Sequence, residues 1–303
     1  MKYKKPPLTI AQQIQILKDR GLIIEDENRA SRYLSFISLY RLRAYTYSYQ
    51  DNSKPNQPFY PGTTFDIVLN TYLFDRKLRL LVFDAIERIE IALRTQIVYQ
   101  YSIEHGANWY ENKKLYRKTF LFNRDLQQID KELKRSNEVF IKHYNTTYST
   151  PKRPPAWMTL EIFSMGLLSK IYENLKISDE KKIIARNFNL GHPFVLESWM
   201  HSLSVIRNIC AHHSRLWNRE LPASMKLPKV THGIWLNNTG FPRGKMYLAL
   251  SSMLFLLNTI IPNNHFKIKL KTLITKYPDI PLCKMGFPEN WQNENLWTDL
   301  NNN

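Results

Sequence analysis

Two cysteines, Cys210 and Cys283, in a chain of 303 residues exclude a disulfide framework and a metal site built from thiolates. Carboxylates are scarce as well, with 26 Asp and Glu against 43 Lys and Arg, a net charge of +17. Such an excess selects polyanionic partners, nucleic acid or an anionic membrane; the blander alternative is a solvated basic surface that keeps the chain soluble. The imbalance is sharpest from Arg207 to Lys271, where Glu220 is the only acid. Long hydrophobic runs are also missing. The best of them, Met246 to Ile261, is interrupted by Ser251, Ser252 and Asn258 and falls short of the ~20 residues a spanning helix needs. A core helix is expected there, and no membrane partner. No apolar stretch follows the basic start Met-Lys-Tyr-Lys-Lys-Pro-Pro, so no secretory signal is read and a cytoplasmic location is expected. There is no glycine-rich phosphate loop, internal repeat or alternating strand pattern. With 43% hydrophobic residues, what remains is a folded all-α chain, an elaborated helical bundle.

Taken in order, Thr9 caps a helix through Ile10, Ile14 and Leu17 that Gly21 ends, and a second helix starts after Asp26 and runs toward Arg43. Such a pair also opens DNA-reading helix-turn-helix modules, a weaker third possibility. Tyr33, Phe36, Tyr40, Arg41, Arg43, Tyr45, Tyr47 and Tyr49 interleave rings with guanidinium groups. Exposed, they would stack on unpaired bases, with Arg41 and Arg43 on phosphates; buried, they are an aromatic face of the core. Prolines 55, 58 and 61 with Gly62 mark a loop. Thr63 or Thr64 then caps a helical stretch from Phe65 to about His105, as one helix or two in line. Glu87, Glu90 and Arg94 share one of its faces, either as groups that orient a catalytic Arg or His or as a structural ion-pair set. Helices are read over Arg124 to Tyr144, Ala156 to Leu175, Glu180 to Phe188, Met246 to Ile261 and His265 to Tyr277. Residues 1–50 form an N-terminal helical extension, 63–277 the main helical domain and 278–303 a tail, frayed at Asn301 to Asn303.

The organising stretch begins near Phe194 and continues in Ser-Val-Ile-Arg-Asn-Ile-Cys-Ala-His-His-Ser-Arg-Leu-Trp-Asn-Arg-Glu, residues 204 to 220. Without Pro or Gly, and with Leu203, Ile206, Cys210 and Trp217 recurring, it reads as one helix with a buried stripe. Its polar face carries His201, Ser204, Asn208, His212, Arg215 and Arg219, with Arg207 within reach. RNA supplies its own nucleophile, the 2′-hydroxyl. A protein that cleaves it needs an imidazole near neutrality and a guanidinium whose fork fits two phosphate oxygens.

The Arg207-Asn208-x-x-x-His212 spacing resembles the Arg-x4-6-His signature of HEPN ribonucleases. Its continuation, Cys-Ala-His-His-Ser-Arg-Leu-Trp-Asn-Arg, resembles the AbiD/AbiF type of the Abi (abortive infection) family of phage-resistance proteins. Lys5-Pro-Pro-Leu-Thr, Tyr40-Arg41-Leu42, Phe74-Asp75-Arg76-Lys77-Leu78-Arg79, Ile86-Glu87-Arg88-Ile89-Glu90 and Pro155-Ala156-Trp157-Met158 extend the likeness over residues 5–220. The resemblance implies a HEPN-like core, a homodimer, and an RNA endonuclease that works without metal or other cofactor and leaves a 2′,3′-cyclic phosphate and a 5′-hydroxyl. His212 would move the proton, Arg207 hold the phosphate and Asn208 orient that histidine or the RNA. Glu87, Glu90, Arg94 and His213 would support them, and Arg41, Arg43, Arg215 and Arg219 bind RNA. His213 also fits the signature. A structured RNA is a physically reasonable restraint on such a toxin, and a non-catalytic RNA-binding module is the alternative.

Overall fold

The computed structural model describes residues 6–222 and 225–298, so the expected fraying at Asn301 to Asn303 lies outside the described residues. Among these, twelve α-helices and isolated β-bridges, with no strand, make an all-α fold. The helices are α1 (Ile10–Asp19), α2 (Glu27–Ile37), α3 (Leu39–Thr46), α4 (Phe65–His105), α5 (Thr119–Arg135), α6 (Val139–Thr147), α7 (Ala156–Thr159), α8 (Met165–Asn174), α9 (Asp179–Asn187), α10 (Pro193–Ala211), α11 (Met246–Ile260) and α12 (Phe266–Lys276). No described helix is long and apolar enough to cross a membrane.

Polar side chains set the helix starts. Thr9 and Gln12 form a reciprocal capping box on α1, Asp26 accepts from Arg29 N at 2.9 Å on α2, and Thr64 accepts from Ile67 N at 3.2 Å on α4. α4 then runs unbroken for 41 residues, the single-helix option.

Three expected helices are broken, each at a serine. Ser38, at φ +66°, separates α2 from α3 and accepts from Arg41 N. Ser136 accepts from Glu138 N between α5 and α6, and Ser164 caps α8 after a bend at Phe163. Apolar periodicity continues through all three breaks, but a short hydroxyl offers the following backbone N–H a local partner, and the helix gives way there.

The chain divides into two compact units. The first comprises residues 1–79 and 270–281. In it Asp75 is wholly buried, accepts from Tyr45 Oη at 2.6 Å and pairs with the buried Arg79, which also donates to Tyr45 Oη at 3.1 Å. Burial first, and the Asp75 charge second, push the Tyr45 phenol well above its usual range.

The second unit, residues 80–269 and 282–303, holds α10. Trp199 of α10 lies 5.4 Å from Trp235 and 5.9 Å from Phe255 of the wholly buried stretch of α11. Trp291 and Trp297 are buried in this unit, and Trp297 Nε1 donates to Ser251 Oγ at 3.0 Å. On its other side α10 is anchored electrostatically. Lys181 of α9, fully buried, donates to Tyr172 O at 2.6 Å and Leu175 O at 2.8 Å, capping α8, and pairs with Glu197 of α10 at 2.7 Å. Glu197 is also held by Arg117. Burial pushes the Lys181 ammonium down to about 8 even though Glu197 opposes that shift. Charge and apolar packing together fix the direction in which α10 presents its last turn.

Candidate functional site

α10 starts as its sequence dictates. His192 Nδ1 accepts from Phe194 N at 3.2 Å, and Pro193 takes the first helical position, where a missing N–H costs nothing. Its end differs from expectation. The helix stops at Ala211 instead of continuing to Glu220. His213 N donates to Cys210 O and Ser214 N to Ile209 O, both at 3.0 Å, while His213 sits at φ +55°. That is a Schellman closure with histidine in the left-handed position where glycine is usual. Trp217 is buried as the stripe required, but it packs from the segment beyond the helix.

Asn208 and His212 remain one turn apart, with His212 N donating to Asn208 O at 3.0 Å, and both side chains are exposed. His213 is exposed as well and lies beyond the end of the helix. Arg215 and Arg219 leave the helical face. They lie half-buried in the following segment, where Arg219 Nη1 donates to Arg215 O at 3.1 Å.

Arg207 is half-buried, its guanidinium 5.5 Å from the centre of the Phe83 ring on α4, a cation-on-ring contact that fixes the group without consuming its hydrogen bonds. Glu90, two turns further along the same face of α4, feels both Arg94 and Arg207. Burial lifts the Glu90 carboxyl above the usual carboxylate range, while the two guanidinium groups pull it back and Glu87 adds to the rise. Glu90, Arg94 and Arg207 are thus brought together, with the exposed Glu87 at the edge. Arg94 is occupied structurally: it is buried, donates to Glu90 Oε1 at 2.8 Å and Phe163 O at 3.0 Å, and faces Glu161 at 3.7 Å. It holds α4 to the bend before α8. Phe83 went unread in the sequence, although it precedes Glu87, Glu90 and Arg94 at helical spacing.

Arg41 and Arg43 belong to the other unit, exposed on α3. Among the described residues no three His, Cys, Asp or Glu side chains are grouped as a metal site.

The left-handed histidine permits a test. Glycine at 213 removes the steric cost of that backbone, so His213→Gly is expected to raise the unfolding free energy by about 1 kcal/mol in urea denaturation. A loss of stability instead would mean that the imidazole makes contacts worth more than the strain.

No curated protein and no solved structure matched this sequence. A family described as Abi-like protein matches residues 32–218, which include α3, α4 and the whole of the Arg207 to Asn218 segment. The match takes in more than half of the chain, and the chain therefore belongs to the Abi-like protein family, whose setting is abortive infection in phage defence.

Proposed function

We propose that this chain is an RNA endonuclease of an abortive-infection system. His212 transfers the proton, Arg207 holds the scissile phosphate, and Asn208 orients the imidazole or the RNA; no metal takes part. The carrying observation is the division of labour at the end of α10. One guanidinium is half-buried against Phe83 beside Glu90, and an imidazole stands exposed at the cap of the same helix. A fixed cation and an accessible proton carrier are the two parts that 2′-hydroxyl attack requires. The products would be a 2′,3′-cyclic phosphate and a 5′-hydroxyl.

His212 lies five positions after Arg207, which at 3.6 residues per turn sets them about 140° apart around α10. Asn208 and His212 are only about 40° apart by the same arithmetic. A single copy therefore offers one phosphate either the cation or the imidazole more readily than both. A homodimer, with the α10 ends paired across a two-fold axis, supplies the other from the second chain. Exposed apolar surface on α4 is available to such a partner, since Leu80, Ile91, Tyr99 and Ile103 are exposed on the helix that carries Glu87 and Glu90. Light scattering on the purified protein is expected to give twice the chain mass; an active monomer would remove the composite site.

The nuclease itself is tested with end-labelled RNA in EDTA, where cleavage is expected to persist. In the same assay His213→Gly is expected to stay active, and its inactivity would transfer the proton-carrying role to His213.

A further inference from the structure

We infer that α2 and α3 form a second RNA-binding surface, on which Phe36 and Tyr40 stack unpaired bases while Arg32, Arg41 and Arg43 take the phosphates. This rests on RNA being the protein's ligand, but not on the cleavage chemistry.

The aromatic series of this region divides by exposure. Tyr45 is 1% exposed and belongs to the Asp75 network, and Tyr33 is half-buried with Arg29 5.8 Å from its ring centre. Phe36 and Tyr40 are instead 87% and 88% exposed. Rings left that open forgo nearly all the stabilisation that burial would bring, which singles them out from neighbours that pack normally. They flank the Ser38 break, Phe36 in the last turn of α2 and Tyr40 in the first turn of α3.

Charge decides what would cover them. From Asn28 to Gln50 there is no carboxylate, and Arg32, Arg41 and Arg43 are all exposed. Arg29 is already paired with Asp66 at 2.7 Å. Arg43 lies close enough to Arg20 that its charge adds to the effect of burial in holding the Arg20 guanidinium below its usual range. An apolar protein partner would meet this concentration of positive charge without neutralising it. A single strand answers both features, since every base has a π-face and every link a negative charge. A duplex answers only the charge, because its bases are already stacked.

The experiment measures binding by fluorescence anisotropy in a His212→Ala background, so that cleavage does not interfere. Three labelled probes of equal length are compared: single-stranded RNA, an abasic single strand and a perfect RNA duplex. The parent is expected to prefer the base-bearing strand. Phe36→Ala/Tyr40→Ala is expected to weaken that strand by about tenfold or more and leave the abasic strand unchanged. Arg41→Gln/Arg43→Gln is expected to lower the slope of log affinity against log salt by about 0.7 per charge removed. Melting temperatures of both variants should match the parent.

Equal affinity of parent and Phe36→Ala/Tyr40→Ala for the base-bearing strand, or an equal loss on the abasic strand, overturns the stacking surface. A protein that shows the base preference but never cuts RNA keeps the surface and loses the nuclease. One that cuts without the preference does the reverse.

Discussion

Removing the imidazole of His212 is expected to lower RNA cleavage by about 100- to 10,000-fold, the usual contribution of a positioned general acid or base. His212→Ala should leave the fold untouched, because the side chain is exposed at the cap of α10 and the closure beneath it is made by the backbone of His213 and Ser214. Arg207→Ala is expected to cost about 100- to 1,000-fold, comparable to the loss of one preorganised donor on a developing negative charge. Arg207→Lys should recover only part of that. A lysine keeps the charge but lacks the planar fork and the flat face that lies over Phe83. Each variant is assayed with labelled RNA in EDTA and separately for RNA binding. Cleavage lost with binding retained assigns the chemistry to the pair. Equal cleavage by parent and variants would trace the activity to a contaminant, and binding without cleavage in the parent would leave an RNA-binding module.

The largest stability effect is expected far from that chemistry. Asp75→Ala strips the carboxylate from a site with no exposure and leaves the Arg79 guanidinium buried beside a neutral phenol. Breaking a buried pair by one partner costs about 3–5 kcal/mol, because the surviving charge has lost its counterion and cannot reach water. Removing both charges with groups of similar volume avoids that penalty. Asp75→Leu/Arg79→Met is therefore expected to recover most of the loss, with Tyr45 Oη as the remaining cost. Urea midpoints for the two variants and the parent decide it. If single and double variants fall by the same amount, the pair contributes through packing and the electrostatic account is wrong.

Helix existence was legible in the sequence wherever apolar spacing and a capping residue agreed, as at Thr9 and Asp26. What misled was continuity. Apolar residues recur across Ser38, Ser136 and Ser164, so periodicity alone joins helices that a serine hydroxyl separates. The end of α10 was hidden for a different reason. Glycine is the usual mark of a left-handed closure, and here a histidine occupies the position, so a run of helix formers reads straight through it. The Arg-Asn-x-x-x-His string and the Glu87, Glu90, Arg94 face are local patterns, visible along one strand of text. The ring beneath Arg207 and the Phe163 carbonyl that holds Arg94 come from distant parts of the chain. No spacing rule connects residues 83 and 207, and only the folded chain does.

The isolated acid of the segment from Arg207 to Lys271 has a further meaning. Glu220 is paired with Lys245 at 2.6 Å, so the one carboxylate in that stretch is already answered by a lysine of the same stretch. With ten Lys and Arg to that one Glu, the stretch carries a net positive charge whose field extends beyond the reach of any single contact. A polyanion diffusing nearby would be drawn in before it touches the molecule, and dissolved salt would slow its arrival as well as loosen its grip.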